Sequence, residues 1–391
     1  MRLSWTVATA LLRRRGTTLL RTSALAAGSA VTLGVAALVV ALALMNGYAE
    51  ALRRGILAGS GHVVVLFAAP SAAERAGLAA AVAGLPGVTA TGDAVYLPGL
   101  LGGDGDRTEV VQVKATEVPV PFAQWTEHAG GPLGVAVGAG LAASAGLSAG
   151  STGSLQLFVD QARLVALPVR VDTVFATGFA ELDERWVMTS LSALRRRLPS
   201  IVPSAHEIFL ADPDDAGHAR DQLEAAGLRG ALVTTWEEAN RSLFAALRWQ
   251  KLSLALVLSL VVGVGAFEVA SALVVLVTEK RRDIGVLLAM GSPPGMVREV
   301  LVLAGGAIGA AGLVAGLALG LLVVGVMSWL GQPHFPREIA SIYMVERIPF
   351  VVRATDLATI VLVGLAEVTA AALVPALRAA SKEPAEVLRW V

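Results

Sequence analysis

The densest chemistry in the chain is Glu279-Lys280-Arg281-Arg282-Asp283, a run of charges followed by Ile284, Leu287 and Leu288 at helical spacing. Such a stretch neither makes nor breaks bonds. It describes a short amphipathic helix that lies on lipid or docks into a partner's groove. Two isolated carboxylates, Glu268 and Glu367, interrupt otherwise apolar runs. An acid at the centre of a membrane helix costs about 2.5–3.5 kcal/mol, so each must face protein or a wet cavity. Glu268 precedes Thr278 by roughly 15 Å of helix at 1.5 Å per residue, which is near mid-bilayer. It either lines a cavity or makes a structural hydrogen bond to a neighbouring helix. The absence of cysteine excludes disulfides and thiolate chemistry. The five histidines (His62, His128, His206, His218, His334) lack ligand spacing, so no metal site is expected. No phosphate loop of the G-x-x-x-x-G-K-[ST] kind occurs, so the chain itself does not cradle ATP. No catalytic residue is expected.

These groups must be positioned by a membrane scaffold. Of the 391 residues 55% are hydrophobic and 16% charged, far from the soluble average. Four stretches satisfy the requirement of about 20 apolar residues for a crossing: 22–48, 251–278, 300–330 and 357–377. The first is too long for the apolar core of a cleaved signal peptide. Arg2, Arg13, Arg14, Arg15 and Arg21 precede it without an acid, which predicts a cytoplasmic N-terminus. Four spans return the C-terminus to the same side. Residues 1–21, 279–299 and 378–391 are then cytoplasmic, and 49–250 and 331–356 are periplasmic. The zero net charge conceals a split, because Tyr48 to Gln250 holds 15 Lys/Arg and 21 Asp/Glu. Basic residues gather instead beside the spans, where anionic lipid attracts them.

The insert 49–250 reads as mixed α/β with two subdomains. Val63–Phe67, a helix at Ser71–Leu85 and Val88–Leu97 form one strand–helix–strand unit. His206–Leu210, a helix near Asp214–Ala226 and Ala231–Thr235 form another that could pair with it. Glu109–Lys114, Leu155–Val159 and Leu164–Phe175 are further strands. Gly138-Ala139-Gly140 reads as a turn and short helix, Asp104-Gly105-Asp106 as a solvated turn, Asp212-Pro213-Asp214-Asp215 as a helix N-cap and Arg195-Arg196-Arg197 as a helix end. Trp236 to Thr278 is either one long helix or two that break near Lys251. In the third span Gly305, Gly309, Gly312, Gly316 and Gly320 form a stripe that predicts close helix packing.

Residues 279–291, Glu-Lys-Arg-Arg-Asp-Ile-Gly-Val-Leu-Leu-Ala-Met-Gly, resemble the signature of the permeases related to MacB, FtsX and the LolC/LolE pair. Met45-Asn46-Gly47-Tyr48 with Leu52-Arg53-Arg54-Gly55 resembles the first-span exit of the LolC/LolE branch. Trp236-Glu237-Glu238-Ala239-Asn240-Arg241 resembles its entry into the second span, and Pro375-Ala376-Leu377-Arg378 with Pro384-Ala385-Glu386 its ending. The similarity runs in order along almost the whole chain.

The resemblance implies an α-helical membrane protein with four transmembrane helices and a large mixed α/β extracytoplasmic domain between helices 1 and 2. It implies the permease subunit of an ATP-binding-cassette transporter in the bacterial inner membrane, which extracts lipoproteins by mechanical coupling. Two copies of a separate ATPase, carrying ATP and magnesium, are implied below a pair of identical or homologous permeases. A periplasmic carrier and membrane lipids are the other partners; no nucleic acid is expected. The ATPase-coupling residues carried over are Glu279, Lys280, Arg281, Arg282, Asp283, Ile284, Leu287, Met290 and Gly291. Met45, Asn46, Phe267 and Glu268 fall on the implied substrate cavity. Glu268 departs from the asparagine common in the family. The stretch Leu157 to Val169 is short for a carrier-capturing loop, which places the chain closer to LolE or a homodimeric form. Two alternatives are a MacB- or FtsX-like permease with other cargo or a signalling role, and a proton-coupled transporter using Glu268 and Glu367.

Overall fold

A computed structural model describes residues 18–67, 72–103, 107–126, 130–160, 163–227, 231–331, 344, 347 and 349–380. The N-terminal arginines up to Arg15, Asp104-Gly105-Asp106 and the tail beginning at Ser381 lie outside the described residues, as does most of 332–348.

Chain order begins with α1 (Thr18–Gly59), rich in Ala, Leu and Val and without proline. At 1.5 Å per residue its 42 residues extend about 63 Å, twice a hydrocarbon core. The α/β unit follows as β1 (Val63–Phe67), α2 (Ala72–Ala83), β2 (Val88–Gly102), β3 (Thr108–Thr116), β4 (Leu133–Gly138), α3 (Ala139–Ala145), β5 (Thr152–Asp160), β6 (Arg163–Phe175), α4 (Ala180–Arg185), β7 (Trp186–Ser190), α5 (Leu191–Arg197), β8 (Ala205–Leu210), α6 (Ala216–Ala225), β9 (Ala231–Thr235) and α7 (Trp236–Ala239). Then come α8 (Arg241–Glu279), α9 (Arg281–Ala289), α10 (Pro294–Trp329) and α11 (Ala354–Ala380). Four of these helices, α1, α8, α10 and α11, are long and apolar enough to cross a membrane.

The chain divides into two units. The helical unit holds the described residues up to Tyr48, from Ala246 to Gly331 and from Pro349 onward; the α/β unit holds Ala49 to Ala245 with Met344 and Arg347. In the α/β unit the sheet order is β3-β7-β4-β6-β5-β2-β8-β1-β9, and β2 also pairs with β3. Six strands therefore close into a barrel. Its interior is filled by Leu101, Val113, Leu133, Val135, Leu155, Leu157, Val169 and Val187, inward-facing residues contributed by all six strands. The first half of the long β2 leaves the barrel and joins β8, β1 and β9. The two strand–helix–strand units thus share one sheet, and Leu78, Leu223, Ile208 and Val233 fill the layer between it and α2 and α6. Strands β5 and β6 pair as far as Asp160 with Arg163, so only two residues separate them.

Within the helical unit the glycine stripe of α10 is divided among three neighbours. A Cβ at Gly312, Gly316 or Gly320 would lie 2.7–3.0 Å from Val31, Val35 or Val39 of α1. Gly309 faces Val368 of α11 in the same way, and Gly305 faces both Leu273 of α8 and Ala372 of α11. Small residues at this spacing let helix backbones approach, replacing the hydrophobic drive that lipid cannot supply. Thr32 Oγ1 adds a 3.2 Å hydrogen bond to Gly312 O across the α1–α10 contact.

No break occurs at Lys251. Helix α8 is continuous, and the interruption falls at Asn240 (φ −113°, ψ 19°). Thr235 and Glu238 build the capping box that starts α7, the threonine oxygen accepting from Glu238 N at 3.1 Å. At its other end Asn240 Nδ2 donates to Trp236 O at 2.8 Å, a side chain satisfying a carbonyl where the helix stops.

Candidate functional site

The charged run forms the start of α9, separated from α8 by a turn at Lys280. Glu279 and Lys280 are half-buried, and Lys280 Nζ stands 3.7 Å from Asp283 one turn later. Ile284 is buried (7% exposed) and packs in a cluster with Leu273, Leu276, Leu301 and Ala376, which joins α9 to α8, α10 and α11. Arg281, Arg282, Asp283, Val286 and Met290 are exposed. Gly291 closes the helix with φ +87°, a left-handed conformation that suits glycine. The side chain of Leu287 lies outside the described residues. The helix expected from the spacing is present with Ile284 on its buried side, and Arg281, Arg282, Val286 and Met290 are presented outward.

The residues carried onto the substrate cavity do not gather in one place within this chain. Phe267 is 72% exposed and Glu268 is exposed, on the face of α8 opposite its buried residues Ala266 and Val269. Among the described residues Glu268 has no hydrogen-bond partner, so the structural-bond alternative finds no support inside the chain. Glu367 is half-buried, and its enclosed Oε2 has no hydrogen-bond partner among the described residues. Met45 is half-buried. Asn46 is instead 2% exposed, with its side chain fully used elsewhere.

Asn46 sits in a polar clasp that the sequence did not reveal. Lys251 Nζ of α8 donates to Asn46 Oδ1 (2.9 Å) and to both oxygens of Asp356 of α11 (2.9 Å each). Asn46 Nδ2 donates to Asp356 Oδ2 (2.7 Å) and Val351 O (3.2 Å). Val351 N in turn donates to Ala43 O at 3.0 Å. A Cβ at Gly47 would overlap the Pro349 carbonyl oxygen, so only glycine permits this segment to lie against α1. The remaining void beside Asn46, lined by Val39, Leu42, Asp356 and Ile360, is about 10 Å³. That is no chamber for an acyl chain. Three elements distant in sequence are joined here; the available signals were a charge at each span edge and the Asn-Gly pair.

The α/β unit holds a second polar group, also unforeseen. Lys114 of β3 (2% exposed) and Glu207 of β8 (0% exposed) pair at 2.8 Å. Glu207 Oε1 also accepts from the Tyr96 hydroxyl and from Gly61 N (3.1 Å), while Lys114 Nζ donates to Gly59 O at 3.0 Å. Burial pulls the Lys114 ammonium below its ordinary range, and the Glu207 charge opposes that fall. Burial, reinforced by Glu207, pushes the Tyr96 hydroxyl far up, so it remains a donor. The last carbonyl of α1 is thereby fixed to the barrel. Nearby, Leu210 N donates to His62 Nδ1 at 3.0 Å, and burial holds that imidazole below its usual value. The Trp236 to Phe244 motif also acts locally: Trp236 Nε1 donates to Pro213 O (3.0 Å), its ring meets Phe244, and Arg53 lies over it.

Residues 255–384 match the FtsX-like permease C-terminal family. Over 387 residues the chain is 27% identical to the lipoprotein-releasing system transmembrane protein LolC of Neisseria meningitidis, covering 92% of each. It is 24% identical over 394 residues to the corresponding LolE protein of Haemophilus influenzae, again covering 92% of each. Similarity to both leaves the expected preference for LolE unresolved. The periplasmic region of MacB from Actinobacillus actinomycetemcomitans aligns with 46% of this chain and 92% of that one, at 10% identity and a TM-score of 0.29.

Proposed function

We propose that this chain, a permease of the LolC/LolE type, is the membrane subunit of an ATP-binding-cassette transporter that releases lipoproteins from the bacterial inner membrane. The observation that carries the mechanism is α9: a short helix anchored by Ile284 at one end of a continuous α8, with Arg281, Arg282, Val286 and Met290 exposed. An exposed cationic and apolar face on a helix anchored through Ile284 suits docking of a partner. Nucleotide binding on two copies of a separate ATPase would press on Glu279 to Gly291, and α8 would carry the displacement across the bilayer. The chain supplies no bond-breaking chemistry; ATP and magnesium stay with the partner. The α/β unit occupies the periplasm, both termini are cytoplasmic, and a second permease, identical or homologous, completes the assembly. Phe267 and Glu268, exposed on α8, would face the chamber between the two permeases. The cargo would then pass to a periplasmic carrier.

The test is co-purification from membranes. The wild-type chain is expected to bring an ATPase and a second permease, and Arg281→Glu/Arg282→Glu to lose the ATPase while still inserting. If the charge-reversed chain retains both the ATPase and lipoprotein release at wild-type levels, the coupling assignment is wrong.

A further inference from the structure

The α8 helix is held unevenly. From Val262 to Leu276 it buries Val262, Gly265, Ala266, Val269, Ala272, Leu273 and Leu276. Between Leu247 and Val262 no side chain is buried; only Ala255 and Leu258 lean on the core. Trp249, Leu252, Leu256, Val257 and Leu260 are 56–69% exposed. The strong tether on this half is Lys251, with its three bonds to Asn46 and Asp356. Polar bonds of this kind differ from apolar packing in one respect. They are directional, and they are lost together when one partner shifts by an ångström or two. Where the two regimes meet lies Gly263, whose surroundings are open, followed by Gly265, which packs tightly on Val31. Paired glycines are where helices bend.

We propose that Lys251, Asp356 and Asn46 form a releasable latch that positions the Lys251 half of α8 against α1 and α11. When it opens, that half swings about Gly263 and Gly265 and widens the flank between α1 and α8. The residues are positioning residues for transport, and the proposal rests on the transport reading above. The latch closes the flank when the clasp is made, and the movement of α9 at the far end of the same helix is what strains it. Asn46 is nearly inaccessible whereas Lys251 and Asp356 are 30% and 18% exposed, so the ion pair is the part that water can enter.

Two measurements test it. The chain has no cysteine, so labels can be placed cleanly. Spin labels at Trp249→Cys and Trp329→Cys, both exposed, report the distance from the Lys251 half of α8 to α10 in nanodiscs. One narrow distance is expected for the parent, a broad distribution for Lys251→Met, and a narrow one again for the swap Lys251→Asp/Asp356→Lys. If Lys251→Met stays as narrow as the parent, the clasp does not hold this half and the proposal falls, whatever the protein transports. Second, Lys251→Cys/Asp356→Cys is bridged with a short reducible crosslinker in the assembled transporter. Lipoprotein release should stop on bridging and return on reduction, with the ATPase still bound. Release that continues through the bridge would make the clasp a permanent brace and sink the latch. Should the unbridged parent release no lipoprotein at all, the transport reading fails, and the label distances alone decide the latch.

Discussion

Replacing Lys114 with methionine keeps an unbranched apolar stem one atom shorter and removes the charge. Glu207 is then left with no cation, at 0% exposure, retaining only the Tyr96 hydroxyl and Gly61 N. Removing one member of a buried pair costs about 3–5 kcal/mol, because the other charge stays desolvated. The loss of the bond to Gly59 O acts in the same direction. At 1.4 kcal/mol per factor of ten, exchange protection should fall by roughly two to three and a half orders of magnitude. Hydrogen exchange of the full chain in nanodiscs reads this directly at Gly61, at Val113 and Ala115 of β3 and at Ile208 of β8. The double variant Lys114→Met/Glu207→Met removes both charges, and exchanging a buried pair for apolar groups is often close to neutral. It should therefore recover most of the protection. A single variant that loses less than about tenfold, or a double variant no better than the single, would refute the view that an uncompensated buried carboxylate sets the cost.

Three further outcomes follow from the packing and the titrating groups. Gly316→Leu drives a side chain into Val35, where a Cβ would already lie 2.7 Å from the valine Cβ. Overpacking of this order costs about 1–3 kcal/mol, visible as a lower unfolding midpoint in nanodiscs, whereas Gly306→Leu, with nothing within 4 Å of its Cβ, should be unchanged. Gly47→Ala should push the Pro349 segment off α1, so that the Val351 amide loses its 3.0 Å bond to Ala43 O and exchanges faster than in Gly28→Ala. His62 titrates below its ordinary 6.5 in the folded chain, so on acidification the unfolded state takes up the proton first. Stability therefore declines as pH falls through 6.5 and levels off below the folded value. Exchange at Leu210, whose amide needs the neutral Nδ1, should rise in that window beyond the intrinsic trend and lose this pH dependence in His62→Leu.

The four long helices, the short charged helix α9 and the glycine stripe were legible in the chain. Each is written in a local period: some twenty apolar residues, a 3.6-residue recurrence, a small residue every fourth position. Local chemistry also announced the Asp212 cap, whose side chain accepts from Asp214 N at 2.9 Å, and the Arg195 to Arg197 helix end. Barrel closure was not legible. It depends on β2 pairing with β8 along one half and with β3 and β5 along the other, and no local pattern records a partner. The same limit hid Lys251 with Asp356 and Lys114 with Glu207, whose members stand 105 and 93 residues apart. Singly, each reads as a solvated charge. Only the fold brings these opposite charges within 3 Å, burying Lys114 with Glu207 and leaving Lys251 with Asp356 partly open to water, and that proximity turns an ordinary lysine into a tether. Sequence decided which segments are long and apolar enough to cross a membrane, since burial of apolar surface needs no partner but lipid. Tertiary structure decided which polar groups hold those segments together, since a charge pair exists only where two distant backbones meet.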